Sequence, residues 1–206
     1  MRKEEKTRRT YERILAAAIV EFGTKSFDSA SLTTLCNENQ LSKGLLYHNF
    51  KSKDELYLKC VETCFEKMTQ FLKSIEYRGK NIQDTMNYFL QMRQRFFEEN
   101  PHYCNIFFYT VLQPPKHLQR EIQKLRQKYD EFNLSWLGEL LNQMQLRDGI
   151  TVDMAQEYFM VFLEMFNGYF RNKSRENGDI HKLIKDHEVN LSKVLDIMLY
   201  GVAKEN

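Results

Sequence analysis

Apolar residues recur at intervals of three and four along almost the whole chain, and its three prolines, Pro101, Pro114 and Pro115, all fall within fifteen residues. Proline removes a backbone donor and its ring clashes with the preceding turn, so a long stretch without it leaves helix open. With only eight glycines in 206 residues, little else interrupts regular backbone. No stretch shows the alternation of a half-buried strand, whereas the 3.6-residue period is seen nearly everywhere. The spacing predicts an all-α chain of about nine helices.

Residues 8–24 form the first expected helix, with Ile14, Leu15, Ala18, Ile19 and Phe22 on one stripe and Gly23 near its end. Two short helices follow, 31–38 and 43–49, joined by a turn that closes at Leu41-Ser42. Ser52-Lys53-Asp54-Glu55 has the capping-box pattern and opens a fourth helix reaching about Ile75. Tyr77-Arg78-Gly79-Lys80 is a break. Helices are expected at 82–99, at 101–112 with Pro101 in the first position, and at 115–146. The stripe of that last one is Leu118, Ile122, Leu125, Tyr129, Phe132, Trp136, Leu140 and Met144. After a turn at Arg147-Asp148-Gly149 come helices 152–175 and about 180–203, parted by Asn177-Gly178-Asp179.

Hydrophobic residues at 42% and charged residues at 28% suit a soluble globular chain. No run of roughly 18 apolar residues offers a membrane span. The charged start leads into an apolar stretch interrupted by Glu21, which is not a signal-peptide pattern. Four cysteines make no disulfide framework, and a reducing cytoplasm is expected. The net charge of +2 is unevenly spread: residues 1–53 hold ten Lys/Arg against six Asp/Glu, and the rest twenty against twenty-two. The expected organisation is a basic head, 1–53, on a slightly acidic body, 54–206. Such asymmetry points weakly to a polyanion partner for the head.

A short helix, a tight turn and a second short helix is the helix-turn-helix plan, whose second helix enters the DNA major groove. Ser42 is placed to cap that helix and present its hydroxyl and amides to a phosphate. Lys43 adds a cation, Gly44 lets backbone approach closely, and Tyr47 and His48 follow one turn on. Lys53 starts the next helix near the same surface. Arg8 and Arg9 belong to an expected flexible N-terminal arm able to reach a groove or the DNA backbone. Leu46 and Phe50 read as core.

The residues Ser31-Leu-Thr-Thr-Leu35-Cys and Ser42-Lys-Gly-Leu-Leu-Tyr47-His48-Asn-Phe50-Lys-Ser-Lys53-Asp-Glu-Leu56 resemble the DNA-binding head of the tetracycline-repressor (TetR) family. The match covers about residues 10–57. Two positions depart from the family pattern: Asn39-Gln40 stand where a small residue and glycine are usual, and Thr33 where a basic residue is usual. A turn then requires Asn39 or Gln40 to adopt left-handed backbone. The resemblance implies that Ser31, Thr33, Ser42, Lys43, Gly44, Tyr47, His48 and Lys53 face DNA. Base choice would come mainly from Lys43, His48 and Leu45. It also implies a dimer and an inducer cavity in the body.

From Tyr158 to Phe166 only Glu164 is polar, and a helix apolar on all sides must be covered on all sides. A two-fold four-helix bundle formed with a second copy meets that need, through Phe162, Phe166 and Tyr169 of one helix and Leu191, Leu195 and Met198 of the last. Two heads related by a two-fold suit a near-palindromic operator. The middle helices are rich in aromatics. Tyr103, Phe107 and Trp136 are the expected lining of a small-molecule pocket, with Glu164 as a carboxylate facing a ligand or a paired cation. The expected function is a dimeric repressor released from DNA by a small apolar or aromatic ligand.

No catalytic constellation is evident: His102 and Cys104 lack a third partner, and the five histidines lack metal-ligand spacing. No phosphate-binding glycine loop occurs, and no cofactor is called for. Two alternatives stay open. Cys60 and Cys64, four apart on one helical face, suit a thiol-based redox sensor. The altered turn also allows an interaction module that has lost specific DNA binding.

Overall fold

The computed structural model describes residues 3–76, 81–176 and 179–202, and the regular elements among them are all helices. In chain order they are α1 (Lys3–Thr24), α2 (Leu32–Glu38), α3 (Lys43–Asn49), α4 (Lys53–Lys73), α5 (Ile82–Glu99) and α6 (Pro101–Leu112). A 3-10 turn at Lys116–Leu118 precedes α7 (Gln119–Leu141), α8 (Val152–Glu176) and α9 (Ile180–Val202). The expected break at Tyr77–Lys80, residues Asn177-Gly178 and the side chain of Val202 lie outside the described residues.

Two elements differ from expectation. Helix α1 begins at Lys3, so Arg8 and Arg9 are helical rather than part of a flexible arm. Glu4 and Glu5 complement the dipole of the first turn, and Arg9 pairs with Glu5 at 2.8 Å and Arg8 with Glu12 at 3.7 Å, each one turn apart. The helix expected at 115–146 is shorter at both ends. Behind Pro114-Pro115 the chain makes a 3-10 turn, with Leu118 N–H donating to Pro115 O at 3.0 Å. At the far end Gln143 and Met144 bond back only three residues, and Asn142, Gln143, Gln145, Arg147 and Asp148 are all exposed. Continuing the helix there would bury almost nothing to repay its ordering. Gly149, at φ 82°, makes the turn before α8.

The chain divides into two compact units. The first runs to Lys67 and takes in Phe97–Thr110 and Pro114–Arg126; the second holds Met68–Phe96, Val111–Gln113 and the chain from Gln127 onward. The expected boundary after residue 53 falls at the start of α4, a helix continuous through the point where the two units divide.

In the first unit, Ile14, Ala18 and Phe22 of α1 are buried with Leu35, Leu46, Phe50, Leu56, Cys60, Val61 and Phe108. Tyr57 is the hub: Phe22 and Phe27 meet its ring edge-on at 5.1 and 5.0 Å. Its hydroxyl lies 3.3 Å from Thr110 Oγ1, and burial pushes the phenol up to about 12. Gly23 has a packing reason, since a Cβ there would stand 2.5 Å from His102 Cβ and 2.7 Å from its Cα. That close approach lets Asn105 Nδ2 donate to Gly23 O at 2.7 Å.

In the second unit, Leu72, Phe96, Leu137, Leu140, Phe166, Phe170, Leu183, Leu191 and Leu195 form the core. Helices α8 and α9 meet where Phe166 and Phe170 pack on His187 at 4.7 and 5.0 Å.

Candidate nucleic-acid interface

The α2–α3 connection is built by hydrogen bonds rather than by glycine. Leu41 N–H donates to Cys36 O at 2.9 Å and Gln40 N–H to Asn37 O at 3.4 Å, the paired bonds of a Schellman turn. Gln40 takes the left-handed residue at φ 52°, where glycine is usual. Arg13 of α1 steadies the strained peptide, donating to Asn39 O and, at 3.4 Å, to Gln40 O. Leu41 and Cys36 are both buried, which is the apolar contact that accompanies this motif. Gln40→Gly is expected to raise stability by roughly 0.5–1 kcal/mol, the relieved left-handed strain less the added entropy of the unfolded chain. Urea denaturation checks this, and a loss of stability would mean that the Gln40 side chain matters more than its backbone.

Both helices are capped. Ser31 Oγ accepts from Thr34 N–H at 3.3 Å, and Ser42 Oγ from Leu45 N–H at 3.1 Å. Glu21, almost wholly buried, accepts from Ser31 N–H at 2.7 Å and pairs with Lys25 at 2.9 Å, so α1 holds the start of α2. At the other end Phe50 is buried and stacks on Tyr11 at 5.0 Å. The capping box of α4 is half as expected: Glu55 N–H donates to Ser52 Oγ at 3.1 Å, but its carboxylate accepts from Lys51 N–H at 2.6 Å.

With Leu46 fully buried, α3 presents Ser42, Lys43, Gly44, Leu45, Tyr47 and His48 to solvent. Tyr47 is 54% exposed, a large aromatic turned mostly to solvent. Nothing lies within 4 Å of where a Cβ on Gly44 would stand, so no neighbour within the chain demands glycine there. Thr33 is exposed and Ser31 half-buried. Lys53 is half-buried, with its ammonium 4.6 Å from the centre of the Phe27 ring. The described DNA-facing candidates thus sit on or beside one capped, solvent-facing helix. Sequence reasoning missed Arg13 and the role of Glu21. An acidic residue inside the apolar stripe of α1 was the one available signal.

The body candidates are placed differently. Phe107 is buried in a ring cluster with Phe65, Phe97 and Phe108 at 5.6, 5.2 and 5.3 Å, a packed core position. Tyr103 is half-buried in the same unit. Trp136, in the second unit, is half-buried and stacks on Phe89 at 4.0 Å. Glu164 is exposed and pairs with Arg171 at 3.1 Å, so the carboxylate in the apolar run faces water. Phe166, Leu191 and Leu195 are buried within the chain, while Phe162 and Met198 are half-buried and Tyr169 is exposed. The apolar face that α8 leaves outward is instead Met154, Tyr158, Val161, Met165 and Tyr169, with Tyr158 at 62% and Met165 at 65% exposure. Val189 and Ile197 of α9 are outward too. The all-apolar run divides this way because successive turns give one face to α9 and the other to solvent.

The buried charge of the second unit was not legible in sequence. Arg93 of α5 bonds Glu188 of α9, which also accepts from His187 Nδ1 at 3.0 Å. His187 Nε2 lies 2.9 Å from the side-chain amide of Asn167 in α8. Tyr129 of α7 also bonds Arg93. Burial would raise the Glu188 carboxyl, but the Arg93 charge and hydrogen bonds from His187 and Arg93 outweigh it and hold it below its ordinary value. Burial pushes His187 down, against the opposing pull of Glu188. Both native values lie below 6.5 for His187 and 4.5 for Glu188, so the unfolded chain binds more protons. Stability from this cluster is therefore complete above those values and is lost as pH falls through the native ones. Denaturation midpoints measured between neutral and acid pH are expected to fall. A Glu188→Gln and His187→Gln double variant is expected to flatten that fall.

Cys60 and Cys64 are fully buried, and burial pushes both thiols well up, which leaves little thiolate to oxidise.

Residues 14–60 match the family model described as bacterial regulatory proteins, tetR family, and residues 80–203 match that of the tetracyclin repressor-like C-terminal domain. The chain belongs to the TetR family. It is a DNA-binding transcriptional regulator and not an enzyme. Regulators of the TetR family bind DNA operators, usually as dimers, and respond to small-molecule effectors. A TetR relative is the biofilm operon icaADBC HTH-type negative transcriptional regulator IcaR of Staphylococcus epidermidis. It is 24% identical over 160 residues, covering 78% of this chain and 82% of IcaR. IcaR of Staphylococcus aureus strain Newman is 19% identical over 180 residues, covering 84% and 96%. A transcriptional regulator from Rhodococcus sp. Rha1 shares the fold at TM-score 0.63 and 14% identity, covering 95% of this chain and 99% of its own. FadR from Bacillus subtilis, solved with stearoyl-CoA, shares it at TM-score 0.61 and 12% identity, covering 88% and 97%. No described helix is long and apolar enough to cross a membrane.

Proposed function

We propose that this TetR regulator is a dimeric repressor that binds a near-palindromic operator through α3 and is released by a small apolar or aromatic ligand. The observation that carries the reading is the outward face of α3. A seven-residue helix capped by Ser42 offers Lys43, a bare backbone at Gly44, and Tyr47 and His48 to solvent. Lys43 and His48 suit base edges; Ser31, Thr33, Ser42, Tyr47 and Lys53 suit phosphates. Repression is supported by the IcaR relatives, which are named negative regulators. The regulator acts in the cytoplasm, where its operator lies.

The dimer seam is read from the outward stripe of α8, Met154, Tyr158, Val161, Met165 and Tyr169, with Ile197 of α9. Phe162 and Met198 are half-buried and border it, whereas Phe166, Leu191 and Leu195 support it from behind. A contiguous apolar face of this kind marks an interaction surface.

The ligand is assigned to the second unit. An apolar crevice there is lined by Met86, Leu137, Leu141, Phe159, Leu195 and Met198, with a volume of about 20 Å³, room for about one water. Ligand entry must therefore part α7, α8 and α9, and it favours a body shape distinct from the closed one. Trp136, in the same unit, remains a candidate contact. Because α4 belongs to both units, a change at Met68–Leu72 is carried along one helix to Lys53. The ligand shifts DNA affinity only by its differential affinity for the two shapes.

Fluorescence anisotropy against DNA upstream of the protein's own gene tests the reading, with random competitor DNA and a salt series. Tight binding that survives competitor and weakens steeply with salt is expected. If neither this DNA nor any sequence selected from random DNA is bound specifically, the interaction-module alternative replaces it.

A further inference from the structure

The acidic body contains a segment that breaks its own charge pattern. Between Lys116 and Lys128 the sequence carries five Lys/Arg and one acidic residue, whereas the remainder of 54–206 is net acidic. Lys116, Arg120 and Lys124 recur every four residues, and all three are exposed. Arg120 and Lys124, one turn apart, put like charges next to one another on one face of α7, which costs about 0.2–0.5 kcal/mol. Lys116 precedes them in the 3-10 turn, and Arg120 stands in the first turn of α7, the end whose dipole disfavours cations, with Glu121 beside it offsetting part of that cost. None of the three has an ion-pair partner among the described residues. Like charges held side by side with no ion-pair partner mark a surface shaped for something outside the chain.

The first unit shows what lies beside this stripe. His117, next to Lys116, reaches Asp54 in the first turn of α4 at 3.2 Å. Its ring lies 5.6 Å from that of Phe27, and the same Phe27 ring carries the Lys53 ammonium at 4.6 Å. Further along, Lys124 and Leu125 border an open cleft of about 400 Å³ that reaches Asn49 and Phe50 at the end of α3 and whose other charged lining is Glu55, Lys59, Glu62 and Glu121. The start of α7 thus borders both Lys53 and the C-terminal end of α3.

We infer that Lys116, Arg120 and Lys124 form a second DNA contact that neutralises backbone phosphates flanking the half-site read by α3. The inference rests on the proposed DNA-binding role of α3. The partner is the DNA backbone because three exposed cations in a row, the one ring between them, His117, being held by Asp54, provide charge without base readout. The contact adds affinity and no sequence preference. It requires duplex beyond the half-site.

The test uses the full-length protein and a site that it selects from random DNA, once with long natural-length flanks and once trimmed to the selected core. Lys116→Gln/Arg120→Gln/Lys124→Gln is compared with the parent and with the charge-keeping Lys116→Arg/Arg120→Lys/Lys124→Arg. On the long duplex the neutral variant is expected to lower the slope of log affinity against log salt by about two to three per protomer. On the trimmed duplex its slope should match that of the parent, and its selected sequence should be unchanged. The charge-keeping variant should behave as the parent on both. Equal slopes for parent and neutral variant on the long duplex overturn the inference while leaving the α3 reading intact. A changed sequence preference overturns it too, by assigning the stripe to base readout. A parent that selects no site overturns the α3 reading, and this inference with it. Circular dichroism melts should show all three proteins folded, the neutral variant slightly more stable than the parent because the like-charge repulsion is relieved.

Discussion

Glu188→Ala is expected to destabilise the protein by about 3–5 kcal/mol, a large part of the total for a chain of this kind. The loss comes from the side left behind. Arg93 is buried and keeps its charge, and Glu188 is the carboxylate that balances it. His187 Nδ1 loses its acceptor at the same time. A double variant separates the orphaned charge from lost packing. In Arg93→Met/Glu188→Gln no buried charge remains, and the introduced side-chain amide oxygen can still accept from His187, so most of the lost stability should return. Urea denaturation of the single and double variants decides the matter. Equal destabilisation of both would mean that packing around these side chains, rather than an orphaned charge, carries the effect.

Val161→Glu is expected to turn the proposed dimer into a monomer and to weaken operator binding in step. Val161 lies at the middle of the outward stripe of α8 and is half-exposed in the single chain. Burying the exposed half of such a side chain is worth about 0.8–1.5 kcal/mol, and a two-fold axis counts it twice. A loss of roughly 1.5–3 kcal/mol is about 10- to 10²-fold in the dimer dissociation constant, before the cost of burying the introduced carboxylate. Two heads on one monomer are not available, so affinity for a palindromic site falls even though α3 is untouched. Sedimentation velocity and anisotropy on the same samples read both effects. A Val161→Glu protein that stays dimeric places the seam elsewhere. Leu195→Glu is not an equivalent test, because Leu195 is buried within the chain and its charge would unfold the body.

The head was legible because its signals are local. Ser31, Ser42 and Ser52 are cap residues three positions before a backbone N–H that each one accepts, and spacing alone fixes that geometry. The left-handed residue of the turn was narrowed to Asn39 or Gln40, and the structure places it at Gln40. What makes glutamine tolerable there was not local: Arg13 comes from α1, 26 residues before Asn39. The body was legible in its helix order but not in its faces. The stripe of α8 read as apolar on all sides, and nothing in residues 154–170 says which side α9 covers. Glu164 drew attention as a carboxylate among apolar residues, yet it reaches water and Arg171. Glu188, flanked by Asp186-His187 and Val189-Asn190, carries no local mark of its role, yet it is the carboxylate that binds a buried arginine.

Sequence by itself determined the all-α class, the helix-turn-helix head and the family, because period, caps and proline positions act within a few residues and leave a direct trace. Tertiary structure alone decided which face of α8 is free, why Gly23 must lack a side chain, and where the buried charges pair. Each of these depends on a partner tens of residues away: His102 for Gly23, Glu188 for Arg93, His187 for Phe166 and Phe170. A helix period states that one face must be covered, but only the packed neighbour fixes which residue covers it.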